Sequence, residues 1–363
     1  MLEQKGLYKL GIDIGSTTAK LVLLDEENRL IFSRYERHNA NAAAVVKKAL
    51  DFLEKDLHLS EKDAALFRIS PAITGSVGMG FAESLGVPFI QEVVAATTYA
   101  RNLYPQARTL IDIGGEDAKI VYLYEDGSSD LRMNGNCAGG TGAFIDQMAI
   151  LLGVPVEELS VLAEESTAIH PIASRCGVFS KTDVQNLIAR NVSRSDIAAS
   201  IFHAVAVQTV TTLSHGCEIE APVLLCGGPL SFIPSLRRAF ARYLQQDEAG
   251  FLLPQRAELV PAHGTALLAA DSKDWSLRGF CGDLESLSVR PKQRLSNVLP
   301  RLFADGQELE QWRAEKLVGG IGYVREETPE NVFLGIDSGS TTTKIVAIDR
   351  LGRIVYEYYR NNE

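Results

Sequence analysis

Several features are scarce or missing in this 363-residue sequence, and each absence excludes a class of protein. Five cysteines without a C-x-x-C pair do not suit a disulfide framework. The net charge is −10 and no block of lysine or arginine is present, so nucleic acid is not an expected partner. No uninterrupted apolar run reaches the roughly 18 residues of a membrane span, and residues 1–9 lack the apolar core of a secretory signal. We therefore predict a cytoplasmic protein with no membrane partner.

The most informative feature that is present is an internal repeat. Residues 10–36 recur as residues 334–360, with 13 of 27 positions identical. A weaker copy of residues 12–22 lies at 111–121, with 7 of 11 positions identical. The chain thus contains one pair of similar β-hairpins and the beginning of another copy, which we interpret as a fragment of a longer protein.

The repeat predicts how the chain divides into domains. A first domain is expected at 1–271, with lobe I at about 1–130 plus 262–271 and lobe II at about 131–261. Weak patterning predicts a linker region at 272–331, and residues 332–363 are the truncated start of a second module.

The first hairpin contains a loop that suits phosphate. It reads Gly11-Ile-Asp-Ile-Gly-Ser-Thr-Thr-Ala-Lys20, in which a predicted strand leads into a Gly-Ser-Thr turn rich in backbone N–H groups and hydroxyls. Such donors can line a polyphosphate, Asp13 can hold magnesium through water, and Lys20 adds positive charge. The same residues also describe an ordinary hairpin turn. One loop alone therefore leaves both interpretations open.

Two further segments favour the phosphate interpretation. Ile111-Asp-Ile-Gly-Gly-Glu-Asp-Ala-Lys119 repeats the strand–Asp–x–Gly pattern, which suggests a duplicated fold with loops facing across a cleft. In Leu224-Leu-Cys-Gly-Gly228 a predicted strand ends in two glycines, which allow a nucleoside to approach the backbone closely.

Together the three segments resemble the acetate-and-sugar-kinase, heat-shock-protein and actin superfamily, from about residue 7 to 271. The resemblance implies a duplicated α/β fold with two lobes around a nucleotide cleft. It places magnesium near Asp13 and Asp112. The implied ATP or ADP contacts are Gly15, Ser16, Thr17, Thr18, Lys20, Gly114, Gly115, Gly227 and Gly228.

Two cysteines lie just before predicted helices. Cys137 belongs to Asn134-Gly-Asn-Cys-Ala-Gly-Gly-Thr-Gly142, ahead of a helix predicted at Ala143–Leu152, and Cys176 precedes a helix predicted at Ser180–Ala189. The positive end of a helix dipole stabilises nearby negative charge, including that of an anionic cluster. An iron–sulfur cluster ordinarily takes four thiolates, so a two-fold dimer would supply them. Spacing alone also permits two small buried cysteines.

The cysteine segments and phosphate loops together resemble the activators of 2-hydroxyacyl-CoA dehydratases and the ATPase subunits of benzoyl-CoA reductases. The resemblance implies a homodimer in which Cys137 and Cys176 of each copy hold a shared [4Fe–4S] cluster. ATP hydrolysis would then drive a low-potential electron into a dehydratase or reductase, with a ferredoxin or flavodoxin-like donor. The tandem arrangement resembles the large fused members of that family.

One departure from the family concerns the second loop, where Glu116 stands in place of the usual Gln. Its carboxylate could hold metal, orient the attacking water or pair with Lys119, and the sequence does not rank these roles. Asp13, Asp112 and Glu116 are the catalytic candidates. The alternative function is a small-molecule kinase of the amino-sugar type, although no motif supplies the general base that it needs.

Overall fold

The computed structural model describes residues 6–134, 139–174, 176–269, 274–289, 299–317, 322–324, 329–339 and 342–361. The chain divides into two compact units, residues 1–291 and residues 292–363.

Lobe I of the first unit is built on a five-stranded sheet with the order β10–β4–β1–β2–β3. β1 pairs antiparallel with β2 and parallel with β4. The strands are β1 (Leu7–Ile14), β2 (Thr18–Leu24), β3 (Leu30–Arg37), β4 (Arg68–Thr74) and β10 (Trp275–Ser276). The helices associated with this lobe are α1 (Ala42–Asp56), α2 (Glu61–Leu66), α3 (Gly78–Leu85) and α12 (Leu277–Val289).

Lobe II repeats this arrangement around a sheet with the order β7–β6–β5–β8–β9. β5 again pairs antiparallel with the next strand and parallel with a later one, β8. The strands are β5 (Thr109–Ile113), β6 (Ala118–Leu123), β7 (Ser129–Asn134), β8 (Val223–Cys226) and β9 (Phe251–Leu252). The helices are α5 (Gly142–Leu152), α6 (Val156–Glu164), α7 (Gly177–Ala189), α8 (Arg194–Ser214), α9 (Gly228–Phe232) and α10 (Pro234–Leu244).

Two helices connect the lobes. α4 (Glu92–Leu103) packs through Ala96 and Ala100 on the second sheet, whereas α11 (Val260–Leu268) packs through Ala262 and Ala266 on the first. α4 and α11 also contact each other. α8 is long and apolar enough to cross a membrane, but 78% of its apolar window is buried inside the protein, as expected of a core helix.

Two of the predicted domain boundaries differ from those in the structure. β5 and β6 lie in the second sheet, whereas the sequence-based division placed residues up to 130 in lobe I. The predicted linker also begins too early, because β10 extends the first sheet and α12 packs on it. Leu277, Phe280 and Leu284 lie on one face of α12 and are buried in the core of lobe I.

The second unit contains α13 (Gly306–Leu317) and an antiparallel sheet of β11 (Phe333–Ser338), β12 (Thr342–Ile348) and β13 (Ile354–Asn361). This sheet reproduces the β1–β3 hairpins. Asp337 and Lys344 form an ion pair of 2.6 Å at the positions that correspond to Asp13 and Lys20.

Candidate active site

The three predicted loops meet at one cleft, a cavity of about 530 Å³ between the lobes. The loops follow β1, β5 and β8. β1 and β5 are the central strands of their sheets, and β8 lies next to β5. The predicted residues that line the cavity are Thr17, Thr18, Lys20, Asp112, Gly114, Gly115, Gly227 and Gly228. Gly15 and Ser16 lie in the first loop without lining the cavity.

Lys20 and Asp13, on the two strands that flank the first loop, form an ion pair with 2.7 Å between Nζ and Oδ2. Burial by itself would lower the pKa of Lys20, but the attraction and hydrogen bond from Asp13 raise it above its usual value. Asp13 is 1% exposed, and its other carboxylate oxygen, Oδ1, is buried with no hydrogen-bond partner. An unpaired buried carboxylate oxygen is costly, which indicates that a ligand or water completes this site.

Each aspartate lies against a glycine at the end of the parallel strand beside it. Gly75 follows β4 with φ of +93°, and Gly227 follows β8 with φ of +90°. A Cβ atom on Gly75 would lie 2.5 Å from Asp13 Oδ1, and one on Gly227 would lie 2.5 Å from Asp112 Oδ1. The duplication therefore extends to the atoms around the two carboxylates, and both glycine positions require glycine.

The second loop contains a buried lysine with two carboxylate partners. Lys119 lies 2.7 Å from Asp117 and 3.0 Å from Glu92, the first residue of α4. Desolvation raises the pKa of Glu92 to about 7. The attraction of Lys119 lowers this pKa, but desolvation together with repulsion from neighbouring aspartates outweighs that attraction. Burial likewise raises the pKa of Asp112.

The structure favours Glu92 over Glu116 as the carboxylate that faces the nucleotide. Glu116 is exposed, forms no ion pair within the described residues and does not line the cavity. The predicted alternative in which it pairs with Lys119 is not observed, because Asp117 and Glu92 occupy that place. Glu92 does line the cavity.

The two phosphate loops approach each other directly. A Cβ atom on Gly115 would clash with Thr17 Oγ1, so only glycine allows the two lobes to come this close. On the nucleoside side, Gly228 lies beneath Tyr35, and the Tyr35 ring contacts Phe232 edge-to-face at 5.5 Å. This aromatic pair and the double glycine form an apolar part of the cleft that suits a nucleoside.

Several cleft residues have no motif in the sequence. Glu92, Tyr35 and Glu258 line the cavity, and Glu258 is 3% exposed, bonded to Ser231 and Arg256. Folding brings them to the cleft from separate elements.

The helix after the Cys137 segment is attached to the second phosphate loop. The backbone N–H groups of Gly142 and Ala143 donate to the carbonyl oxygens of Gly114 and Gly115, at 2.9 and 2.8 Å. Cys137 itself lies outside the described residues. The first turn of α5 is therefore hydrogen-bonded to the loop that would hold the phosphates.

Cys176 is the N-cap residue of α7, a half-buried free thiol. The next residue, Gly177, packs against Gly139, with 3.6 Å from its Cβ position to the Gly139 Cα atom. The two cysteine-bearing segments are therefore neighbours within one chain. Val178 and Phe179, just beyond Cys176, are 72% and 66% exposed.

The residues present fit magnesium held through water better than a direct protein cage. Among the described residues no group of three or more His, Cys, Asp or Glu side chains is placed to hold a metal ion. Asp112 lines the cavity, and Asp13 is ion-paired with Lys20, which lines it. Two separate carboxylates in these positions match the preference of magnesium for water and phosphate oxygens. The half-buried thiol of Cys176 at a helix N-terminus likewise fits a cluster ligand.

Two duplicated lobes with paired phosphate loops define the actin-like ATPase fold, and the comparisons with known proteins agree. The solved activator of 2-hydroxyisocaproyl-CoA dehydratase from Clostridium difficile, with bound ADPNP, matches with a TM-score of 0.62 and 27% identity, covering 79% of this chain and all of that one. The predicted fold class is confirmed.

The sequence comparisons give the family. Residues 10–269 match the model of the BadF/BadG/BcrA/BcrD ATPase family. A 2-hydroxyisocaproyl-CoA dehydratase activator from Clostridioides difficile is 29% identical over 269 residues, 73% of this chain and 96% of that protein. The (R)-2-hydroxyglutaryl-CoA dehydratase activating ATPase of Acidaminococcus fermentans is 28% identical over 222 residues, 61% and 83% of the two chains. The chain belongs to the BadF/BadG/BcrA/BcrD ATPase family, which confirms the predicted resemblance.

Proposed function

We propose that this protein is an ATP-dependent activator that passes a low-potential electron from a [4Fe–4S] cluster to a dehydratase or reductase partner. Two copies of the chain share the cluster through Cys137 and Cys176. The protein works in the cytoplasm and receives its electron from a ferredoxin or flavodoxin-like donor. The cluster supplies the one-electron chemistry, and the chain supplies nucleotide binding, hydrolysis and the movement that links them.

The observation that carries the proposal is the pair of hydrogen bonds between the second phosphate loop and the end of the Cys137 segment. Gly142 and Ala143 begin α5 and donate to the carbonyl groups of the second phosphate loop. A nucleotide that favours one arrangement of this loop also favours one position of α5. Because Gly177 packs against Gly139, the Cys176 segment is carried along with it.

The surface beside Cys176 supports a dimer. Val178 and Phe179 expose large apolar side chains in the first turn of α7. Exposed apolar residues next to a single half-buried thiol are expected where a second copy completes the ligand set. ATP binding would alter the solvent exposure and hydrogen bonding of the sulfur atoms, which are determinants of cluster potential.

The nucleotide site assigns roles to the predicted residues. Glycine-rich backbone and the hydroxyls of Thr17 and Thr18 bind the phosphates, and Lys20, which lines the cavity, offers them positive charge. Asp13 and Asp112 would hold magnesium through water. Glu92 is the carboxylate best placed to accept a proton from the attacking water, because its raised pKa makes it a base near neutral pH.

The test is the iron and acid-labile sulfide content of the anaerobically reconstituted full chain. We expect about four irons per dimer, lost in both Cys137→Ser and Cys176→Ser. Cys217→Ser is the control, because Cys217 is another free cysteine, exposed, that lies after α8 and away from α7 in the sequence. A cluster that survives both substitutions, or no cluster at all, would contradict the electron-transfer proposal and favour a kinase-like ATPase.

A further inference from the structure

The turn between β3 and α1, residues 38–41, contacts the nucleotide site from the side of lobe I. His38 is buried, with 5% exposure. Its backbone N–H donates to the Thr17 carbonyl at 3.1 Å, and its ring Nε2 lies 3.0 Å from the Gly15 carbonyl oxygen. Ring Nδ1 accepts from the Ala40 N–H at 3.2 Å. Because Nδ1 accepts from a backbone N–H, Nε2 is the ring nitrogen that donates to the Gly15 carbonyl oxygen.

The unusual backbone conformation of this turn makes the hydrogen bond from Ala40 to the His38 ring possible. Asn39 and Ala40 adopt φ of +45° and +63°, although neither is glycine. Left-handed backbone is unfavourable for alanine. Here the left-handed conformation directs the Ala40 N–H toward Nδ1 of the His38 ring. The strain is offset by a turn that fixes two carbonyl groups of the first phosphate loop.

The residue before His38 contacts the other lobe. The Arg37 guanidinium lies 3.0 Å from the Asp146 carboxylate, on the second turn of α5, and both side chains line the nucleotide cavity. α5 is the helix whose N-terminus binds the second phosphate loop. Two consecutive residues, Arg37 and His38, thus connect the first phosphate loop to the helix that the second loop holds.

We propose that Arg37 and His38 are positioning residues that set the separation of the two phosphate loops. His38 fixes the carbonyl groups of the first loop, and Arg37 holds α5 against it through Asp146. The inference rests on the proposed function in that its ligand is ATP. It predicts that nucleotide affinity depends on an ion pair that spans the cleft, as well as on residues that touch the phosphates.

The test of Arg37 is a charge-reversal cycle on the full chain, read as the Kd for ADP and the KM and kcat of ATP hydrolysis. Arg37→Ala and Asp146→Ala should each weaken binding about two- to fivefold, as expected for a partly exposed ion pair. The double alanine variant should lose no more than either single variant. The reversed pair, Arg37→Asp with Asp146→Arg, should regain affinity.

The test of His38 uses two partial replacements. His38→Ala should weaken nucleotide binding about tenfold, because the Gly15 carbonyl loses its donor. His38→Gln retains a donor at the position of Nε2 and should recover most of that loss. His38→Asn has a shorter side chain whose amide reaches only the position of Nδ1, so it should not recover the loss of affinity. Arg238→Ala, which breaks an ion pair with Glu164 inside lobe II, is the control and should bind as the wild type does.

Wild-type affinity in all of the Arg37, Asp146 and His38 variants would overturn the inference. Additive losses in the double variant, or no recovery on charge reversal, would overturn the role of Arg37. Equal loss in His38→Gln and His38→Asn would overturn the role of His38. A wild-type chain that binds nucleotide but no iron contradicts only the electron-transfer proposal, so the two failures are distinguishable.

Discussion

At the scale of single residues, the cleft combines contiguous loops with side chains from distant elements. The loops that begin at Gly15, Gly114 and Gly227 are contiguous, and their turn chemistry is legible without a fold. Glu92 and Tyr35 belong to a helix and a strand with no motif, and only tertiary packing brings them to the cleft. Glu116 is the opposite case, because it lies inside a recognised loop but faces solvent.

The first prediction concerns Glu92. Glu92→Gln should lower kcat for ATP hydrolysis about a hundredfold, the usual loss of a general base, and change the Kd for ADP little. Because the pKa of Glu92 is raised to about 7, the carboxylate is protonated below that pH. The wild-type kcat/KM should therefore fall on the acid side of about pH 7, and this limb should be absent in the variant.

Comparison with Glu116→Gln makes the outcome decisive. A large loss in Glu116→Gln together with normal hydrolysis in Glu92→Gln would contradict the assignment. Both variants keep the size of the side chain and remove its charge, so the comparison separates the two carboxylates.

At the scale of elements, the sequence predicted most helices near the cleft and misjudged some of their ends. The helix predicted at Ser180–Ala189 begins at Gly177, which makes Cys176 its N-cap residue. α12 was missed as part of lobe I although Leu277, Phe280 and Leu284 have helical spacing, because a sequence pattern does not show which sheet an apolar helix face will cover. The strand β10 has only two residues, too few to show the alternation of a strand, so its pairing with β4 could not be predicted from the sequence.

The contact between α4 and α11 predicts an acid-sensitive connection between the lobes. The His263 ring packs edge-to-face on Tyr99 at 4.9 Å, and its Nε2 is buried without a hydrogen-bond partner. Burial lowers the pKa of His263 from 6.5 to about 4. The unfolded chain therefore takes up this proton near pH 6.5 and the folded chain only near pH 4. The free energy of unfolding should fall as pH falls between these values, by about 3 kcal/mol in total.

His263→Phe tests this, because phenylalanine keeps the aromatic contact and removes the titration. Its free energy of unfolding, from urea titrations between pH 7 and pH 4, should depend less steeply on pH than that of the wild type. His58→Asn, at an exposed histidine, should keep the wild-type slope. Parallel slopes for wild type and His263→Phe would contradict the prediction, because they would show that folding does not lower the pKa of His263.

At the scale of the whole molecule, the repeat has different surroundings in the two units. Leu10 and Ile12 of β1 are 0% and 1% exposed, whereas their counterparts Leu334 and Ile336 of β11 are 62% and 64% exposed. In lobe I the same sheet is covered on one face by α1, which buries Val46, Leu50 and Leu53. The sequence predicted the repeated hairpins equally well in both places, since hairpin patterning is local. It could not reveal which copy would be covered.

This difference predicts how the two units contribute to behaviour in solution. Among the described residues, all those that line the nucleotide cavity lie within residues 17–261, so a chain of residues 1–291 should retain the Kd for ADP and the ATPase rate of the full chain. It should also self-associate less, because an exposed apolar sheet promotes association through its face and edge. Light scattering over a range of concentrations, at matched nucleotide occupancy, measures this. Leu334→Lys in the full chain should reproduce the lower self-association with unchanged nucleotide affinity. A shortened chain with weaker nucleotide binding would show instead that residues 292–363 contribute to the site.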